Sequence, residues 1–127
     1  MISTSLEVTQ TVSDEMLASA VGSGDASVFA TPMMIALMEK ASLLCIAPLL
    51  NEGETSVGTT INVSHLSATP AGCHVRAVAT VTAVDRKKIT FHVEAYDDES
   101  LIGEGTHERF VVDRVKFEQK ANQKLNR

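Results

Sequence analysis

From Phe29 to Ile46 the chain reads Phe-Ala-Thr-Pro and then Met-Met-Ile-Ala-Leu-Met-Glu-Lys-Ala-Ser-Leu-Leu-Cys-Ile, apolar on nearly every side of a helix. Thr31 stands as its N-cap with Pro32 at the first helical position, a pairing that suits helix entry. Met34, Leu37, Met38, Ala41, Leu44 and Cys45 form one stripe, while Ile35, Leu43 and Ile46 cover a second. Pro48 ends the helix, and Asn51-Glu-Gly53 makes a turn. A helix this apolar is predicted to lie inside the protein, wrapped by other structure. Glu39 is its one carboxylate, and an ionisable group there costs free energy unless it is paired or used.

The other segments follow a period of two. Leu6, Val8, Gln10 and Val12 alternate with Glu7, Thr9 and Thr11, a short strand. Asp14 to Ala20 reads as one or two helical turns, and Gly22-Ser-Gly-Asp25 as a flexible connection. Beyond the helix, Thr55 to His65 is rich in β-branched residues and Ala68-Thr-Pro-Ala-Gly72 breaks it. A strand from Cys73 to Val84 puts Val75, Ala77, Ala79, Val81 and Ala83 on one face. Asp85-Arg-Lys87 turns into Ile89 to Tyr96, with Ile89, Phe91, Val93 and Ala95 on one face. A last strand runs from Leu101 to Val115, followed by a polar tail. Short connections make the last three strands antiparallel hairpins. The simplest fold is α+β, one antiparallel sheet curled around one long buried helix, a single domain over residues 1–127.

Composition narrows the function classes. A chain of 127 residues buries roughly two thirds of its unfolded surface, enough for a core without staples. A net charge of −5 argues against nucleic acid, and four Phe and one Tyr leave little for stacking on bases. Cys45 and Cys73 form no C-x-x-C motif and read as reduced thiols, which fits a cytoplasmic address. The N-terminus lacks the pattern of a signal peptide. Glu39, Lys40, Ser42 and Pro48 interrupt the stretch from Met33 to Leu50, so a buried helix and no membrane partner are expected.

Three polar residues stand out by position. Thr31 lies at a helix start beside unsatisfied amide donors. Glu39 is eight residues on, about 12 Å along the axis, so the two cannot touch by sharing a face. His65 ends the second long strand. Each has a plain structural reading: a cap, a carboxylate reaching solvent, a surface imidazole. His74, His92 and His107 complete no recognised metal spacing with His65, so no metal site is expected. Neither a phosphate-binding Gly-rich loop nor a Gly-x-Ser-x-Gly elbow is present. Gly103-Glu-Gly-Thr-His-Glu-Arg109 places two glycines inside a strand, which signals a bulge or a close approach by backbone or ligand.

Four passages carry a family resemblance: Val28-Phe-Ala-Thr31 with Leu37-Met-Glu39, Gly58-Thr-Thr-Ile-Asn-Val-Ser-His65, Ala68-Thr-Pro-Ala-Gly72, and Gly105-Thr-His-Glu-Arg109. In these, over about 100 residues, the chain resembles the fluoroacetyl-CoA thioesterase-like group of hotdog-fold thioesterases. The resemblance implies a hotdog fold, a homodimer (or a tetramer) with a continuous sheet, and hydrolysis of an acyl-CoA substrate without a further cofactor. It implies joint catalytic roles for Thr31, Glu39 and His65. It places Gly58 near the thioester carbonyl and Arg109 near the acyl pocket, with Phe29 also substrate-binding.

The chain also departs from that group. Fluoroacetyl-specific members resemble one another in carrying lid phenylalanines before Phe-Ala-Thr, where Ala20-Val-Gly-Ser-Gly-Asp-Ala-Ser27 has no aromatic residue. Pro32 stands where the group often has Gly. A small or medium acyl-CoA, without selection for fluorine, is the expected substrate. A hotdog hydratase or dehydratase and a non-catalytic acyl-CoA-binding protein are the alternatives. Arg76, Arg86, Lys87 and Lys88 are the candidate contacts for the CoA phosphates.

Overall fold

The structure, a computed structural model, describes residues 4–126. Strand β1 (Ser5–Thr11) is followed by a 3-10 turn, the short helix α1 (Ala18–Val21) and the long helix α2 (Thr31–Ile46). Then come β2 (Glu54–His65), β3 (His74–Asp85), β4 (Lys88–Tyr96), β5 (Leu101–Asp113) and helix α3 (Arg114–Asn122). The five strands form one antiparallel sheet in the order β1-β3-β4-β5-β2, leaving β1 and β2 at its edges.

Helix α2 packs against β1, β2, β3 and β4, as the predicted wrapped helix requires. Its buried residues Met34, Leu37, Met38, Ala41, Cys45 and Ile46 meet Val75, Ala77 and Ala79 of β3 and Ile89, Phe91, Val93 and Ala95 of β4. The alanines let helix and sheet approach closely. Each buried Met or Phe contributes about 1.5–3 kcal/mol through the surface it removes from water. Ser42, also buried, satisfies its hydroxyl on the Met38 carbonyl at 2.9 Å. Thr31–Leu49 is long and apolar enough to cross a membrane by length and composition, but its buried positions form the core of this sheet.

The structure corrects several expectations. Leu44 is exposed rather than in the main stripe, because the helical period centres burial on Met38 and Ala41 and carries Ser42 and Ile46 inward instead. Ala83 does not share a face with Val81. The β3–β4 register slips between them, so Val81 lies opposite Phe91 while Val84 lies opposite Ile89, and Ala83 turns outward. The tail beyond β5 is helical: the Asp113 carboxylate accepts from the Lys116 amide at 3.0 Å and caps α3.

The two glycines of β5 answer to packing within the chain. A Cβ at Gly103 would lie 2.5 Å from Met34 Sδ, and one at Gly105 would run into the backbone of Asn62 and Val63. The nearby bulge falls on β2, where Thr59 is skipped in the pairing with β5.

Candidate active site

A clamp of backbone bonds delivers Thr31 to the end of β2. The Phe29 amide donates to the Thr69 carbonyl at 2.8 Å and the Ala30 amide to the Met16 carbonyl at 2.9 Å. Thr69, fully buried, donates its hydroxyl to Asp97 at 2.9 Å. The other oxygen of Asp97 accepts from the amides of Glu99 and Ser100, both at 2.9 Å. Burial pushes the Asp97 carboxyl upward, but these hydrogen bonds outweigh it and hold the group below its ordinary range.

Thr31 is not the N-cap that the sequence predicts. It is the first helical residue, with Ala30 as the cap and Pro32 following in the first turn, and no side chain caps the helix. The Thr31 hydroxyl is therefore free for another partner, and Oγ1 lies 2.7 Å from His65 Nδ1. Nε2 of His65 is buried with no hydrogen-bond partner among the described residues. Burial lowers the imidazole pKa below its ordinary value, so the ring is a neutral base at pH 7. The pair borders a cavity of about 300 Å³ lined also by Ala18, Ser23, Val28, Phe29 and Leu66. The Phe29 side chain, almost wholly buried, belongs at once to the core and to this wall.

Glu39 belongs to a second group. Its Oε2 lies 4.0 Å from Arg109 Nη1, and its side chain is 42% exposed. A Cβ on Gly58 would meet that same oxygen at 2.7 Å, so a residue without a side chain is what lets the carboxylate lie on β2. Arg109 is buried, and Ser56 holds it through Nε to Oγ at 2.8 Å and Nη2 to the carbonyl at 2.9 Å. Burial lowers its pKa and the Glu39 charge opposes that fall. Within one chain the structure thus brings Thr31 to His65 and, separately, Glu39 to Gly58 and Arg109. No hydrogen bond joins the two groups among the described residues.

His107 and Ser56 are the site residues that sequence reasoning missed. The signal was present: His107 and Arg109 sit two apart on one strand face, the face that also carries the buried Val111. Of the candidate phosphate contacts, Arg76 faces Glu7 at 3.0 Å and stacks on Tyr96, Lys87 faces Glu54 at 3.7 Å and Lys88 faces Glu108 at 3.9 Å. His92, Glu94 and Glu104 each bring a potential ligand atom within 4.8 Å of the others, on the sheet face turned away from α2.

The family model of the fluoroacetyl-CoA-specific thioesterases matches residues 12–115. This chain belongs to that family. Membership makes it a thioester hydrolase of the hotdog fold. It is 44% identical over 97 residues to the fluoroacetyl-CoA thioesterase of Streptantibioticus cattleyicolor, covering 76% of this chain and 70% of that protein. A solved structure of the fluoroacetyl-CoA thioesterase FlK superposes with a TM-score of 0.92 at 34% identity, covering 98% of this chain and 96% of the other. A Thermus thermophilus protein described as a thioesterase superfamily member gives a TM-score of 0.88 at 29% identity, covering 96% and 90%. The predicted hotdog architecture and thioesterase activity hold.

Proposed function

We propose that this family member hydrolyses a small or medium acyl-CoA to the free acid and CoA, without selection for fluorine. One observation carries the catalytic part: a threonine hydroxyl 2.7 Å from a neutral, half-buried imidazole at the wall of a cavity. That spacing is the one a nucleophile and its base need. His65 takes the proton of the Thr31 hydroxyl as its oxygen adds to the thioester carbonyl carbon. The tetrahedral oxyanion collapses with cleavage of the C–S bond, and the proton passes to the leaving thiolate. Water, deprotonated by the same imidazole, then adds to the acyl carbon, and collapse breaks the bond to Thr31 Oγ1, which takes the proton back as the acid leaves. The start of α2 supplies positive dipole for the oxyanion, and each well-placed donor is worth ~10²–10³ in rate.

The case against fluorine selection rests on the cavity wall. Ala18, Ser23 and Val28 stand where an aromatic lid would have to sit, and no residue from Ala20 to Ser27 can provide one. A homodimer is part of the proposal. Strand β2 is a twelve-residue edge, the sort that a second copy extends into a continuous sheet. The partner's arrival would also let Glu39 of one chain face Thr31 and His65 of the other. Two unpaired thiols, Cys45 and Cys73, suit a reducing cytoplasm.

The test is thiol release from acetyl-, propionyl-, butyryl- and longer acyl-CoAs, with mass spectrometry of the acid-quenched enzyme. Turnover with an acyl group trapped on the Thr31 peptide supports the mechanism. An acyl group on Glu39 would reassign the attack, and bound but uncleaved ligand across the series would overturn hydrolysis.

A further inference from the structure

His107 is buried to 1% exposure between the apolar Phe91, on which it stacks with ring centroids 5.9 Å apart, and the buried Arg109. A leucine there would need no hydrogen-bond partners, and polar groups buried in this way are often less stable than apolar replacements. We propose that His107 is a positioning residue that holds the Arg109 guanidinium so that Nη1 is shared and the Glu39 carboxylate stays free above Gly58. The inference rests on the joint catalytic role that the family resemblance implies for Glu39, which the proposed dimer would bring to Thr31 and His65 of the other chain.

The hydrogen bonds fix the argument atom by atom. Nδ1 of His107 lies 2.8 Å from the Thr60 carbonyl, which can only accept, so Nδ1 carries the proton. In the neutral ring Nε2 is then a bare acceptor, and Arg109 Nη1 donates to it at 3.2 Å. Burial above all, together with the Arg109 charge, lowers the pKa of His107 against the opposing pull of the Thr60 bond and of Glu39 and Glu108. The Thr60 carbonyl is available because β2 bulges at Thr59, immediately after Gly58.

Ser56 already occupies Nε and Nη2 of Arg109. The remaining edge, Nη1, is divided between His107 and Glu39. At 4.0 Å the carboxylate is attracted without being closed into a bidentate bridge. Without an acceptor at His107, Nη1 would turn wholly to Glu39 and draw it off Gly58. The same Nη1 would meet a Cβ on Gly58 at 3.5 Å and the His107 ring at Cε1 would meet it at 3.2 Å, so the three groups share one small volume.

Two variants and one spectrum test this. His107→Leu removes donor and acceptor. His107→Gln keeps an amide that can donate to Thr60 and accept from Arg109. The expected result is a fall in kcat of about tenfold or more for His107→Leu with KM changed less than about twofold, and recovery to within about threefold of wild type in His107→Gln. Equal losses in both variants, or wild-type turnover in His107→Leu, would overturn the proposal. Ring-nitrogen NMR of the wild-type protein is expected to show the neutral Nδ1–H tautomer at pH 7; an Nε2–H tautomer or an imidazolium would also overturn it. Should the wild type release no thiol from any acyl-CoA, the thioesterase reading of Glu39 fails instead. The tautomer still decides the hydrogen-bond assignment.

Discussion

The amide of Phe29 donates to the carbonyl of Thr69 at 2.8 Å, and this one bond ties the segment entering α2 to the loop leaving β2. Thr31 follows Phe29 by two residues and His65 precedes Thr69 by four, so the bond sets how far the hydroxyl stands from the imidazole. Thr69 is held in turn by Asp97. The pair at the cavity is therefore positioned from the far end of β4 as much as by its own helix.

Asp97→Ala is expected to loosen that chain. Its carboxylate accepts from two amides and a buried hydroxyl, and losing such bonds at a partly exposed site costs about 1–2 kcal/mol. The wild-type dependence on pH has a definite sign. The folded pKa is depressed, so this stability is present above the unfolded carboxyl value near 3.9 and is lost as pH falls through the lower folded value. Thermal melts between pH 3 and pH 7 check it: the gap in Tm between wild type and Asp97→Ala should shrink on the acid side.

The pH profile of hydrolysis should report His65. Burial lowers its pKa, so the neutral base persists to below the ordinary imidazole value of about 6.5. The acid limb of kcat/KM is expected to lie below pH 6.5 and the rate to be flat near pH 7. His65→Ala should lower kcat by ~10²–10⁴ and abolish that limb. The fold contribution runs the same way: the unfolded ring takes up its proton first, so stability is lost as pH falls from about 6.5 towards the lower folded value.

Gly58→Ala tests the close approach on β2. The added Cβ would lie 2.7 Å from Glu39 Oε2 and 3.2 Å from His107 Cε1. The half-exposed Glu39 side chain can swing away, so the protein should fold with Tm within a few degrees of wild type while kcat drops about tenfold or more. Circular dichroism melts beside thiol-release assays separate the two effects. A variant with wild-type kcat would show that the carboxylate need not sit on Gly58.

What the sequence made legible follows from its periods. The alternation Ile89, Phe91, Val93, Ala95 runs unbroken through β4, and all four are buried as predicted. The same logic failed at Ala83 because a single skipped residue inverts every later side chain, and no residue type near Thr82 announces the slip. Thr31 stands out for its place at a helix start, but the sequence predicts a cap there because the competing partner, His65, comes from a contact 34 residues away. His107 lies within the Gly105–Arg109 passage, but the sequence gives it no role beyond that of a candidate metal ligand. Its use depends on Thr60 and Ser56 across the β2 pairing, which local pattern cannot supply. Helix α3 offers no buried apolar stripe to read, since Val115 and Phe117 are exposed among charged and amide side chains, although Asp113 at its start is a readable cap.

The separation of Glu39 from Thr31 and His65 within one chain gives the most discriminating prediction. If two chains complete each site, with Thr31 and His65 from one and Glu39 from its partner, then His65→Ala and Glu39→Gln protein should complement when subunits exchange. A mixed dimer contains one site carrying both substitutions and one site carrying neither. With random exchange of equal amounts, half the dimers are mixed and half of their sites are intact, so activity should recover to about a quarter of wild type. Sites built within single chains would give no recovery at all, because every site in a mixed dimer would then hold one substitution. Thiol-release rates before and after mild unfolding and refolding of the mixture, with light scattering to establish the dimer, read the difference directly.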